Sequence, residues 1–256
     1  MAAFDLGMAA GADGLELDVR LSGDGQVVVC HDATLDRTTN VSGPVASLTT
    51  AQLARVDAGW HFADAHGRTP FRGLGLGVPR LADVLRRHAG VPTIIEMKLD
   101  SSEFGRAVAA VVRAADAVDR VCMAGFGKRS TEAARAALPG VATSASHPDV
   151  RLDLYASWLG WAYPFVAYGG FQIPEHAGRL RVVSPRFIRL AHRRRLHVQV
   201  WTVDEAADMD RLLAWGVDGL ITNRPDLAVL RRNAFLARRD GSVAAASLPG
   251  APAGAS

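Results

Sequence analysis

The residues best suited to chemistry lie in one short stretch, GLELDVRLSGDGQVVVCHD, from Gly14 to Asp32. Glu16 and Asp18 alternate with Leu15, Leu17 and Val19, so on a β-strand both carboxylates leave one face and the apolar side chains leave the other. A second β-branched run, Gln26 to Val29, ends in Cys30-His31-Asp32. Between the runs stands Gly23-Asp24-Gly25, and Asp-Gly flanked by such runs is a strong hairpin signal. With Asp24-Gly25 as the two-residue loop, the spacing predicts Arg20 opposite Val29 and Asp18 opposite His31. Two carboxylates and an imidazole would then meet at one end of a ribbon. Carboxylate oxygens suit a hard divalent cation, and a histidine beside them can move protons near neutral pH. Those are the parts of a phosphoryl-hydrolysis site. The plainer alternative is a strand with one wet face, ending in a turn histidine.

A later run extends the set. Thr93-Ile94-Ile95-Glu96-Met97-Lys98 reads as a buried strand interrupted by two charges at its C-terminal end. Burying a charge is costly unless it is paired or metal-bound. Glu96 as a third carboxylate ligand, with Lys98 two residues on and facing the same way, accounts for both. A strand-end ion pair is the alternative.

These residues need a frame, and the rest of the chain supplies one. Residues 1–11 read as a helix stopped by Gly11. From about 34 to 79 the chain is polar, turn-rich and irregular, with one short helix over Ala51–Val56 capped by Thr49. That is too long for a simple connection and reads as an insertion that helps to wall a pocket. Leu81–His88 is the next helix, and beyond the Ile95 strand the alternation is regular. Helices are expected over Glu103–Ala117, Arg129–Leu138, Val150–Leu159, Pro185–Arg195, Glu205–Trp215 and Asp226–Arg238. Strands are expected at Val121, Val141, Phe171, Val200 and Leu220. Such alternation implies right-handed crossovers and a parallel sheet. With the Glu16 and Ile95 strands this makes seven parallel strands, one short of a closed (β/α)8 barrel. The helical segment around Trp158, and the aromatics Trp161 and Phe165 after it, are expected to pack inward rather than form a lipid groove.

Composition sets limits. A chain with 49% hydrophobic residues can bury one large core, and a net charge of +3 is modest. The arginine runs at 193–195, 231–232 and 238–239 fall late in helices, where a solvated face is expected. No basic stripe interleaved with aromatics is present, so nucleic-acid binding is not expected. No run reaches the length of a membrane span. Cys30 and Cys122 make no disulfide framework, which favours a cytoplasmic address. Residues 1–239 are expected to form one domain, and 240–256 a Gly/Ala/Pro-rich disordered tail.

Taken together the motifs resemble the glycerophosphodiester phosphodiesterases. They are Gly14-Leu-Glu-Leu-Asp-Val19, Asp24-Gly25, His31-Asp32, Leu35-x-Arg37-Thr-Thr39 and Pro79-x-Leu81-x-x-Val84-Leu85. Further along come Ile95-Glu96-x-Lys98, Trp201-Thr-Val-Asp204 and Gly216-Val-Asp-Gly-Leu-Ile-Thr-Asn-x-Pro225. The resemblance implies a TIM barrel, metal-dependent hydrolysis of glycerophosphodiesters to glycerol 3-phosphate and an alcohol, and a place in glycerol and lipid metabolism. It implies a divalent cation, Mg²⁺ or Ca²⁺, on Glu16, Asp18 and Glu96. His31 matches a catalytic histidine, Lys98 a catalytic, phosphate-contacting lysine, and Trp201 a residue on the glycerol side of the substrate. In that chemistry a glycerol hydroxyl attacks phosphorus to give a cyclic phosphate, which water then opens.

The family's first strand ends in a His-Arg-Gly motif, and no match to it stands here. A barrel lacking its first strand, with impaired turnover, is therefore expected. The alternatives are a non-catalytic remnant that still binds phosphate and metal, and a related phosphodiesterase acting on lysophospholipid-type substrates. The oligomeric state is left open.

Overall fold

The computed structural model describes residues 1–160 and 166–239. Helix α1 (Ala2–Ala9) precedes a hairpin of β1 (Leu15–Leu21) and β2 (Val27–Val29). After the short helix α2 (Thr50–Leu53) come α3 (Leu81–Arg87), β3 (Thr93–Met97), α4 (Ser102–Ala114), β4 (Val121–Gly125) and α5 (Lys128–Ala137). The second half holds β5 (Ala142–Thr143), α6 (His147–Leu159), β6 (Gly170–Pro174) and the small hairpin β7 (His176–Ala177) and β8 (Leu180–Arg181). It ends with α7 (Pro185–Arg193), β9 (His197–Trp201), α8 (Ala206–Trp215), β10 (Gly219–Leu220) and α9 (Pro225–Arg239).

The strands pair in the order β2-β1-β3-β4-β5 and, separately, β6-β9-β10. Ser144 bridges Gly170 in parallel, joining the two sheets between β5 and β6. Apart from β2 every neighbour in this arc is parallel, which gives the seven parallel strands of the TIM-barrel architecture. β1 and β10 are the outermost parallel strands, β1 carrying β2 on its free edge, and no ladder joins β1 to β10 among the described residues. Helix α9 reaches across instead: Arg232 pairs with Asp13 and donates to the Gly11 carbonyl.

Strand alternation decides which side chains go where. On the outer face Leu15, Leu17, Ile95, Met97, Val121 and Met123 pack with α3, α4 and α5 into one buried cluster. Phe171, Ile173, Val198 and Val200 pack with α6, α7 and α8 into another, and the two clusters share no residue. The inner face carries Glu16, Ile94 and Cys122 in register across β1, β3 and β4. On the far side Gln172 donates to Gln199 at 2.6 Å.

The hairpin register differs from expectation by one residue. Val19 pairs with Val29 and Arg20 with Val28, while the Cys30 amide donates to the Asp18 carbonyl at 2.9 Å. Asp18 therefore faces Cys30, not His31. The cause is Gly25, which takes a left-handed conformation (φ 74°) and adds a third loop residue after the Gly23-Asp24 turn. Asp24 also accepts from the Thr50 amide at 3.0 Å, tying this loop to the start of α2. There Thr49 and Gln52 cap each other reciprocally, as a capping box does. The stretch from Thr34 to Pro79 rests on β2 through a small cluster of Val28, Leu35, Val45, Leu53, Val56 and Val78.

Candidate active site

β1 and β3 lie side by side with Asp18 directly opposite Glu96. Neighbouring strands are about 5 Å apart, and residues two apart on one strand share a face. That geometry alone brings Glu16, Asp18 and Glu96 together, each offering an oxygen within 4.8 Å of the others. Lys98 lies just past the end of β3, its amide donating to the Val19 carbonyl at 3.3 Å. Its ammonium pairs with Asp18 at 2.9 Å and with Glu96 more closely. The strand-end ion pair and the carboxylate cluster are thus both present, sharing Asp18 and Glu96.

The electrostatics are unbalanced. Burial, then the charges of Asp18 and Glu96, push the Glu16 carboxyl up to about 8, with Lys98 pulling the other way. Burial alone would lower Lys98, yet hydrogen bonds to Glu96 and Asp18 hold its ammonium above the ordinary lysine range. One ammonium among three carboxyls leaves the group short of positive charge. All three donors are hard oxygens on rigid strands, a set that can hold a metal ion.

His31 stands just past β2, its ring largely exposed. Arg20 grips its carbonyl through Nε at 3.0 Å and Nη2 at 2.8 Å. Its Nδ1 lies 2.6 Å from Asp32 Oδ1, and Asp32 takes a further bond from Arg37 Nε at 2.5 Å. Those two bonds, Arg37 first, hold the Asp32 carboxyl down to about 2. The ring is thereby turned so that Nε2 is left for other contacts. Trp201 ends β9, half-buried, with Pro174 of β6 beside it.

Three participants were not singled out from sequence. Asp32 and Arg37 stand within the sequence motifs, but their hold on the His31 ring depends on how the chain turns after β2. Phe126, after β4, sets its ring face 5.4 Å from the Lys98 ammonium, and His147 meets that ring edge-on at 4.5 Å. A strand-end aromatic one strand over from a buried lysine is the only signal that could have drawn attention to it. A cavity of about 280 Å³ lined by Lys128, Glu132, Arg135, Asp149 and Tyr168 shares none of these residues.

A parallel barrel with charged groups along β1 and at the C-terminal end of β3 belongs to the class of TIM-barrel enzymes, which work at that rim. Residues 1–227 match the sequence model of the glycerophosphoryl diester phosphodiesterase family, and the chain belongs to that family of enzymes. Glycerophosphodiester phosphodiesterase of Caldanaerobacter subterraneus subsp. tengcongensis is 29% identical, over 90% of this chain and 89% of the relative. The crystal structure of glycerophosphodiester phosphodiesterase from Agrobacterium tumefaciens aligns with a TM-score of 0.69 at 29% identity, covering 90% of this chain and 91% of the other. An Oleispira antarctica phosphodiesterase, solved with its product sn-glycerol-3-phosphate, shares the fold at a TM-score of 0.68 and 19% identity, over 90% of each chain.

Proposed function

We propose that this chain hydrolyses glycerophosphodiesters to glycerol 3-phosphate and an alcohol, with a divalent cation, Mg²⁺ or Ca²⁺, held by Glu16, Asp18 and Glu96. The observation that carries the proposal is the carboxylate cluster, its oxygens within 4.8 Å of one another and short of positive charge. When bound, the cation would polarise the phosphoryl oxygens and offset charge that develops on them. Lys98, already aimed into the cluster, contacts a phosphate oxygen as a point charge. His31, its Nδ1 fixed by Asp32, presents Nε2 to take a proton from the attacking glycerol hydroxyl and to return one to the leaving alcohol oxygen. Trp201 walls the glycerol side. With His31 as the one histidine assigned to proton transfer, turnover is expected to be slow beside a site that works with two. Residues 1–239 are read as a single catalytic unit in a reducing compartment, where Cys30 and Cys122 remain thiols.

The test is release of glycerol 3-phosphate from glycerophosphocholine with Mg²⁺ or Ca²⁺, against a chelator control. Activity that the chelator abolishes and that Glu16→Gln removes is expected. Turnover that survives both treatments would overturn the metal assignment. Binding of glycerol 3-phosphate with no turnover of any glycerophosphodiester would identify a binding protein instead.

A further inference from the structure

Helix α6 is arranged inside out. At about 100° per residue, its buried residues Asp153, Leu154, Ala156 and Ser157 lie on one side. Leu152, Tyr155, Trp158 and Leu159 fall with Arg151 in an arc of about 120° on the other. These four are 48%, 51%, 50% and 79% exposed. An amphipathic surface helix turns its large apolar side chains to the core; this one turns them to solvent.

The neighbouring surface is basic. α7 packs beside α6 and buries Phe187, Ile188, Leu190 and Ala191, leaving Arg186, Arg189 and Arg193 along its exposed side. Arg186 reaches to the Gly160 end of α6. The side chains of Arg151, Arg186, Arg189, Arg193 and Arg195 have no ion-pair or hydrogen-bond partner among the described residues. The carboxylates of α6 cannot offset them: Asp149 is engaged by Lys128, and buried Asp153 by Arg194. α7 carries no carboxylate.

We propose that this α6–α7 face docks on an anionic phospholipid surface, lying on it rather than crossing it. Tyr and Trp settle at the water–lipid boundary because their rings are apolar and their polar ends stay wet. Leu152 and Leu159 add apolar area, and the arginines meet the headgroup phosphates while their stems lie along the apolar layer. No helix among the described residues is long and apolar enough to cross a membrane. A second copy of this chain is the poorer occupant, because a two-fold contact would set one row of unpaired arginines against its own image.

The experiment is co-sedimentation of the full chain with vesicles of phosphatidylcholine, alone or with equal parts of phosphatidylglycerol. Pelleting that depends on phosphatidylglycerol and weakens as salt is raised is expected. Arg186→Glu with Arg189→Glu should lower partitioning about tenfold or more, since each basic residue near an anionic surface contributes roughly that order of attraction. Tyr155→Ser with Leu159→Ser should remove the binding that survives at high salt. All four positions are exposed, so circular dichroism and thermal midpoint should stay at wild type. Bromine-labelled lipid should quench part of the tryptophan emission, and Trp158→Phe should remove that part. The proposal is overturned if the folded chain does not pellet with phosphatidylglycerol vesicles, or if neither double variant changes pelleting. It also falls if Tyr155→Ser with Leu159→Ser instead abolishes a concentration-dependent dimer.

Discussion

At the scale of single residues, the proposed site works through charges that the strands force together. Glu16 sits among like charges and half out of water, so its carboxyl is held protonated well above its ordinary range. Glu16→Gln should therefore leave the metal-free protein's thermal midpoint unchanged or raised. In the wild type, added Mg²⁺ or Ca²⁺ should raise that midpoint, the fold gaining about 2.7 kcal/mol of stability at a hundredfold excess over Kd. The variant should lose that rise, and calorimetry with and without chelator reads both effects. His31→Ala should lower kcat by about 10²–10⁴, the usual share of a positioned acid–base group. Asp32 gives a pH dependence whose sign is fixed. Its folded-state pKa is depressed to about 2 by Arg37 and His31, so its contribution is present above the ordinary carboxylate range and is lost as pH falls through about 2. The NMR signal of the Asp32 carboxyl carbon should keep its ionised position down through pH 4 and move only below it. Asp32→Asn should abolish that transition.

Elements differ in how far their sequences give them away. Period-two alternation marked β1, apolar runs in regular succession with helices marked the other barrel strands, and Thr49 marked the start of α2, because those signals are local. The same two-residue spacing puts Glu16 with Asp18 on one face of their strand and Glu96 with Lys98 on one face of theirs, and the pairing of β1 with β3 makes the two faces one. Register was harder, since a single left-handed glycine, Gly25, lengthens the loop and slides β2 by one residue. The β7–β8 hairpin was missed because each strand is only two residues long. The sidedness of α6 was also misread: Trp158 was expected to pack inward and is half exposed, while Trp161, Tyr163 and Phe165 lie outside the described residues. Nothing in a helical pattern says which apolar stripe meets the barrel when both faces carry apolar groups. Close approach between helices is equally hidden in sequence. A Cβ on Gly105 of α4 would come within 2.2 Å of the Ser130 carbonyl oxygen of α5, so only glycine lets these helices touch. Gly105→Ala should destabilise by about 1–3 kcal/mol through overpacking. Gly7→Ala in α1 meets no atom within 4 Å and should be neutral or stabilising by up to about 1 kcal/mol. Denaturant unfolding of the two variants should give shifts of opposite sign.

For the whole molecule, the division of the apolar interior has a consequence for cooperativity. One cluster belongs to β1, β3 and β4 with their helices, the other to β6, β9 and theirs. Between β5 and β6 the sheet continues through one bridge, Ser144 with Gly170, and on the other side the arc is spanned by α9. A boundary with so few shared contacts lets each side open without dragging the other along. Native-state hydrogen exchange should sort the strand amides into two groups with distinct opening free energies, one for Leu15–Gly125 and one for Gly170–Trp201. A single shared value across both would show the barrel to be one unit. If two groups appear, Glu16, Asp18, His31, Glu96 and Lys98 all ride on the first. The proposed chemistry would then be housed in one half of the molecule, and Trp201 would be its only outpost in the other.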